Sequence, residues 1–342
     1  MKKIAILGAG PAGIEAAAML AAHQCPVTLY EKNAQPLANI TDKAFLFPNF
    51  ASADEVAAAL RAKLDNPLIT LRCNTEVTQL VPSFIAGFQE ENLAGTPVWK
   101  VNDELYDMVL LATGYTPFDA HRKEELGYGI YPGVHTSLEM EKMIREKNIV
   151  NTIGEKPKRI VFLQCVGSRD EKSGNHYCSK LCCVTAVKQA IEAKKLLPDC
   201  EVYLFYMDLR MWGQHFEEMY RTAQQDYDIN FVRGRISEAG GTFDGRVQIK
   251  AEDTLLGRPL KMTSDLLVLM VGMEASQGTR QLSTMCHICG EYGFAQSVDP
   301  HLHDCQTTAH GLFVAGACKR PMTLSDSIND GRSAAYQIIT SL

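Results

Sequence analysis

Residues 2–31 read as one βαβ unit, and that unit constrains the fold more than any other stretch. Ile4-Ala-Ile-Leu7 is a buried-strand pattern, glycines follow at Gly8, Gly10 and Gly13, an alanine-rich helix comes next, and Val27-Thr-Leu-Tyr30 is a second strand closed by Glu31. In a dinucleotide fingerprint the first glycine permits the tight turn, the second lets the backbone approach a pyrophosphate, and the third allows close helix-to-strand packing. Glu31, eighteen residues after Gly13, stands where a carboxylate accepts hydrogen bonds from a ribose. The spacing predicts a dinucleotide site; a glycine-rich structural turn is the plainer alternative. FAD and NAD share this fingerprint, so these residues alone do not choose between them.

A second buried-strand pattern, Arg159-Ile-Val-Phe-Leu-Gln-Cys165, feeds a loop and then a helix carrying Cys178, Cys182 and Cys183, with the helix body predicted over 179–197. Cys178 and Cys182 are one helical turn apart, Cys183 is adjacent, and Cys165 returns from the strand end as a fourth sulfur. A strand-to-helix crossing in a parallel α/β unit presents helix N–H groups to an anion, and a [4Fe-4S] cube needs four thiolates. Zinc also takes four cysteines, but its ligand pairs are usually two to four residues apart, and an adjacent pair strains a tetrahedral site. Buried structural or redox cysteines are the third reading.

At 342 residues the chain has room for two domains with sizeable cores. Its 46% hydrophobic and 22% charged residues are those of an ordinary globular protein. A formal net charge of −6 with scattered basic residues argues against nucleic-acid binding. No apolar run reaches the roughly eighteen residues of a membrane span, and we read no export signal. Eleven cysteines at irregular spacings do not resemble a disulfide framework, so a reducing, cytoplasmic setting is expected.

Two later stretches bear on the cofactor. Leu105-Tyr-Asp-Met-Val-Leu-Leu-Ala-Thr-Gly114 reads as a strand ending in Ala112-Thr113-Gly114, and Gly311-Leu-Phe-Val-Ala-Gly316 reads as another. Both resemble the segments with which two-dinucleotide-binding-domain flavoproteins, such as thioredoxin reductases, close their FAD domain. The resemblance implies an α/β fold in which a discontinuous FAD domain receives an inserted second α/β domain. It also implies FAD rather than NAD at Gly8, Gly10, Gly13 and Glu31, with Thr113, Gly114, Gly316 and Ala317 near the flavin and Val77 along the adenine. Ala317 stands where that family usually has an aspartate, and the family's arginine and paired glycines are absent from residues 36–50. Thr323-Leu-Ser-Asp-Ser-Ile328 begins a helix whose first N–H groups, at Leu324 and Ser325, would sit under the flavin pyrimidine.

The expected division is an FAD domain at 1–125 and 279–342, a crossover at 126–157 with a polar helix at 137–147, and an inserted domain at 158–278. Within the insertion, strands are predicted at 161–164, 202–206, 229–232, 247–250 and 266–271, with a helix at 216–226. Strand patterns also run through 70–101. The insertion's first strand ends in Gln164-Cys165-Val-Gly-Ser-Arg169 rather than in a glycine fingerprint, so no NAD(P)H site is expected there.

Cys165-Val-Gly-Ser-Arg-Asp170, Tyr177-Cys178-Ser179, Cys182-Cys183, Phe205-Tyr-Met-Asp208 and Arg233-Gly234 together resemble the A subunit of heterodisulfide reductase, and the likeness runs from Gly8 to the final helix. It implies FAD plus a [4Fe-4S] cluster on Cys165, Cys178, Cys182 and Cys183, with Lys188 directed toward the flavin. Methanogen forms carry extra ferredoxin-like segments; this chain resembles the short form found in the heterodisulfide-reductase-like complexes of sulfur oxidisers. Its partners would be similar to the B and C subunits, its role the relay of electrons between flavin and partner iron-sulfur subunits, and the isolated chain a homodimer.

A competing function rests on Cys286-His-Ile-Cys289, a dithiol candidate that with FAD would make a thioredoxin-reductase-like disulfide oxidoreductase. With His287, His301, His303 and Cys305 the same pair is also a zinc candidate, although surface histidines are the simpler reading. Trp212, His215, Cys25, Cys73, Cys200 and Cys318 are expected to serve packing.

Overall fold

The computed structural model describes residues 2–83 and 98–342. Part of the 70–101 strand expectation therefore lies outside the described residues. The chain divides into two units: Met1–Thr41, Glu55–Thr116 and Glu274–Leu342 form the first, and Asp42–Asp54 with Pro117–Met273 form the second. The first unit is discontinuous, and residues 126–157 lie inside the second.

The first unit is built on a five-stranded parallel sheet in the order Leu312–Val314, Met108–Leu111, Ile4–Leu7, Val27–Tyr30, Ile69–Arg72. Ile4–Leu7 and Met108–Leu111 are buried along their whole length, which is why their sequences run apolar without alternation: helices cover both faces of a parallel sheet. The Pro11–Ala22 helix starts directly after Gly10, with Pro11 at its first turn, where a missing N–H costs nothing. It packs against the C-terminal helix Leu324–Thr340 through glycine: a Cβ at Gly331 would run into the Ala12 backbone. A small antiparallel sheet, Leu80–Ser83, Val98–Val101 and Glu104–Tyr106, completes the unit.

The second unit repeats the plan. Its parallel sheet runs Val134–Thr136, Leu266–Val271, Arg159–Val166, Glu201–Tyr206, Asn230–Arg233. In both sheets the strand that leads into the predicted ligand turn holds the central place, with the next strand in sequence on one side and a later one on the other. That is the switch point at which open α/β sheets form a crevice beyond their strand ends. The Ser137–Arg145 helix is started by Thr136 and Glu139 in a reciprocal capping box, a device that satisfies two otherwise orphaned N–H groups. An antiparallel sheet of Ile236–Gly241, Val247–Asp253 and Arg258–Ser264 follows; the sequence pattern predicts only its middle strand. Ile236-Ser-Glu-Ala-Gly-Gly241 is hidden because glycine and small residues dilute the strand pattern.

Candidate functional site

In the first unit the glycine positions separate by what surrounds them. A Cβ on Gly8 would strike the Ala112 carbonyl and one on Gly13 the Gly8 carbonyl, so these two are required by packing. Gly10 has open space on its Cβ side, with nothing within 4 Å, and it caps the Pro11–Ala22 helix without any side-chain hydrogen bond. An uncapped helix start beside open space is what an anionic pyrophosphate requires. Glu31 is buried; its Oε2 accepts the Ala9 N–H at 3.0 Å and its Oε1 accepts the Asn33 N–H and side-chain amide at 2.9 Å. The carboxylate thus fixes the glycine loop, and the second lone pair of Oε2 stays free for a ribose. These residues fit a dinucleotide.

Thr113 and Gly114 follow the strand end that abuts Gly8. Thr113 Oγ1 meets Thr279 Oγ1 at 2.6 Å, the Ser276 hydroxyl donates to the Thr113 carbonyl at 3.0 Å, and Thr279 Oγ1 donates to the Gly114 carbonyl at 2.9 Å. The Gln277–Met285 helix, capped by Ser276, is thereby fastened to the strand end; no sequence signal points to Ser276 or Thr279. Gly316 and Ala317 lie buried in a short turn, Gly316–Cys318. Thr323 and Asp326 form a capping box at the C-terminal helix, placing Leu324 and Ser325 in its first turn as expected. Val77 lies in a loop rather than a strand, packed against the core around Leu80 and Trp99.

In the second unit the cysteine helix begins at Cys182 and runs to Leu196. Cys178 precedes it in the loop, a correction to its expected place on the helix: Lys180 takes a left-handed φ of 61° that breaks any helical run from Cys178. Cys165 itself has φ 61°, turning the chain sharply at the strand end. The Cys182 thiol donates to Cys165, whose pKa falls to about 7 through that bond and the nearby Arg169 guanidinium. Burial pushes Cys183 up to about 11, and the charges of Cys165 and Cys178 add to it. Backbone N–H groups of Lys180 and Arg210 donate to Cys178 Sγ at 3.3 Å and Cys183 Sγ at 3.4 Å.

Two buried polar atoms flanking Cys165, Gln164 Nε2 and Ser168 Oγ, have no hydrogen-bond partner, an expensive condition that an anion beside them relieves. In donor chemistry the set fits an iron-sulfur cluster: four thiols, amide donors to sulfur, and a neighbouring cation. Among the described residues no three His, Cys, Asp or Glu side chains stand in a metal-holding arrangement.

Lys188 is buried and fully engaged. Its Nζ donates to the Phe45 carbonyl and Glu141 Oε2, each at 2.9 Å, and lies 3.1 Å from Glu192 Oε2 without hydrogen-bond alignment. Gln189 completes the network by donating to Glu141 Oε1 and the Ser137 carbonyl. Burial raises the Glu192 carboxyl to about 7.

Cys286 is buried, its thiol directed at the Leu80 carbonyl and pushed up to about 12, whereas Cys289 is exposed. All eleven cysteines are free. Cys25, Cys200 and Cys318 are buried as packing residues, but Trp212 is 65% exposed and His215 is exposed. The Lys180 ammonium sits 4.6 Å over the Trp212 ring, so this aromatic covers a side chain of the cysteine loop from outside rather than filling a core.

Residues 2–162 match the family described as pyridine nucleotide-disulphide oxidoreductase. Over 240 residues the chain is 41% identical to the A subunit of the H(2)/formate:CoB-CoM heterodisulfide,ferredoxin reductase of Methanococcus maripaludis, covering 67% of this chain and 36% of that protein. The chain is a homologue of the heterodisulfide reductase A subunit. The iron-sulfur A subunit of the CoB-CoM heterodisulfide reductase of Methanocaldococcus jannaschii is 39% identical over the same length, with the same coverage. The chain thus spans about a third of these relatives' own length. In fold it is thioredoxin-reductase-like: Lactococcus lactis thioredoxin reductase superposes with a TM-score of 0.66 at 18% identity over 100% of both chains. Among the described residues, no helix is long and apolar enough to cross a membrane.

Proposed function

We propose that the chain is an electron-transfer oxidoreductase subunit that binds FAD in its first unit and a [4Fe-4S] cluster on Cys165, Cys178, Cys182 and Cys183 in its second. In this reading it relays electrons between flavin and the iron-sulfur subunits of a heterodisulfide-reductase-like complex, with partners similar to the B and C subunits. The setting is cytoplasmic sulfur oxidation, and the isolated chain is a homodimer. The observation that carries the reading is the cysteine turn itself: the central strand of the second sheet ends in Cys165-Val166, and the next helix opens with Cys182 and Cys183. The switch point of that sheet is occupied by sulfur where a nucleotide site would have glycine.

When bound, FAD would supply two-electron chemistry and the cluster one-electron steps. The chain's residues do the rest. The open side of Gly10 and the uncapped helix behind it receive the pyrophosphate, Glu31 takes the ribose, and Thr113, Gly114, Gly316 and Ala317 border the flavin, with Leu324 and Ser325 directing N–H groups at it. Around the cysteines, the guanidinium of Arg169 favours thiolate over thiol at Cys165, and backbone N–H groups of Lys180 and Arg210 reach the Cys178 and Cys183 sulfurs. Arg169 is itself oriented by an ion pair with Asp208.

The test is spectroscopic. Anaerobically purified protein should show flavin absorbance over a broad brown shoulder, and dithionite should bring up the paramagnetic signal of a reduced cluster. A yellow protein silent in paramagnetic resonance contradicts the proposal.

A further inference from the structure

The Gly316–Cys318 turn carries two residues assigned above to FAD, yet its own sequence holds it poorly: it has three residues and no side-chain cap. It is held from outside. Asp330, on the C-terminal helix, accepts the Gly316 N–H through Oδ2 at 2.6 Å and the Lys319 ammonium through Oδ1 at 2.8 Å. Lys319 directly follows the turn, so one carboxylate grips both of its ends. The Lys319 side chain is 1% exposed, and its remaining protons go to the Asp304 carbonyl at 2.8 Å and Oδ2 at 2.9 Å. Arg320 in turn holds the Asp304 carboxylate.

On its other side the turn abuts the glycine-loop helix. Gly316 has φ 76°, and a Cβ there would lie 2.8 Å from Ala12 Cβ. Gly331, next to Asp330, meets the backbone of the same Ala12. The turn, the C-terminal helix and the first turn of the Pro11–Ala22 helix therefore meet at one point, with Asp330 as the tie. Ala317 offers no polar side chain, so the carboxylate that fixes this turn arrives from the helix.

We propose that Lys319 and Asp330 are positioning residues that hold the Gly316–Cys318 turn in the conformation that takes the flavin half of FAD. The inference rests on the FAD assignment proposed above. Neither residue needs to touch the cofactor. Removing one partner alone would strand a buried charge, so the informative variant neutralises both.

The experiment measures dissociation constants for FAD and for ADP by calorimetry on the full chain, as wild type and K319M/D330L, with circular dichroism of each. ADP engages the glycine loop and Glu31 but lacks the flavin half. In K319M/D330L the FAD dissociation constant should rise about tenfold or more while that of ADP stays within about twofold. An unchanged FAD constant in the folded double variant overturns the proposal. Equal weakening of FAD and ADP also overturns it, because the pair then sustains the unit as a whole. Wild-type protein that binds ADP and refuses FAD contradicts the cofactor assignment, and the proposal falls with it.

Discussion

Gln164 Oε1 accepts the Cys183 thiol at 3.3 Å, tying the residue before Cys165 to the first turn of the helix that follows. Strand end and helix start are thus joined through side chains before any metal is considered. Cys183→Ser preserves the donor and nearly the size, so the fold should lose no more than about 1 kcal/mol. An alcohol is a poor iron ligand, and three thiolates leave one iron open. Iron per chain, assayed anaerobically, should fall in the variant while FAD stays. Equal iron in both proteins would remove Cys183 from the site.

Gly10 and Gly13 should behave oppositely. A Cβ on Gly10 meets no protein atom within 4 Å, so Gly10→Val should melt like wild type and yet purify without flavin. Gly13→Ala collides with the Gly8 carbonyl and should instead lower the melting temperature, as an overpacked contact of about 1–3 kcal/mol would. Full FAD occupancy in Gly10→Val would sink the loop assignment.

Much of this is legible in the sequence, for identifiable reasons. The parallel-sheet strand Ile4–Leu7 and residues 160–163 of the strand Arg159–Val166 are buried, which leaves unbroken apolar runs. Glycines at Gly8 and Gly13 announce close backbone contacts that any other residue would block. What escapes is set by partners distant in sequence. Asp330 reaches Gly316 across fourteen residues and Thr279 reaches Thr113 across 166, and neither leaves a periodic trace. The four-residue spacing of Cys178 and Cys182 suits a helix, but the left-handed backbone at Lys180 wins locally. The size of Trp212 suggests a packing role, and its exposure depends on the loop that carries it.

The Glu192 carboxyl gives a pH dependence. Burial raises its pKa to about 7 from an ordinary 4.5, with Lys188, Glu141 and Lys195 as its charged neighbours. The folded state holds this proton more tightly than the unfolded chain, so its contribution to stability is complete below about pH 4.5 and is lost as pH rises through about 7. The loss is bounded at about 3 kcal/mol. Glu192→Gln should flatten the fall in urea midpoint between pH 5 and pH 8 relative to wild type. Parallel profiles would show that Glu192 does not carry the proton.

Lys188 invites the reverse experiment. Lys188→Met strands Glu141 and Glu192 in the interior and should cost about 3–5 kcal/mol. The triple variant that also carries Glu141→Gln and Glu192→Gln should recover most of it, as read from urea melts at pH 8. A single variant as stable as wild type would show that the network is not held by its ammonium.

Whether one chain carries both redox groups is decided by cofactor stoichiometry. Anaerobically purified or reconstituted protein should contain about one FAD, four iron and four acid-labile sulfide per chain, with iron and sulfide lost together when Cys165, Cys178, Cys182 and Cys183 are all replaced by serine. Stoichiometric FAD with no sulfide, or iron content indifferent to the four substitutions, would contradict it.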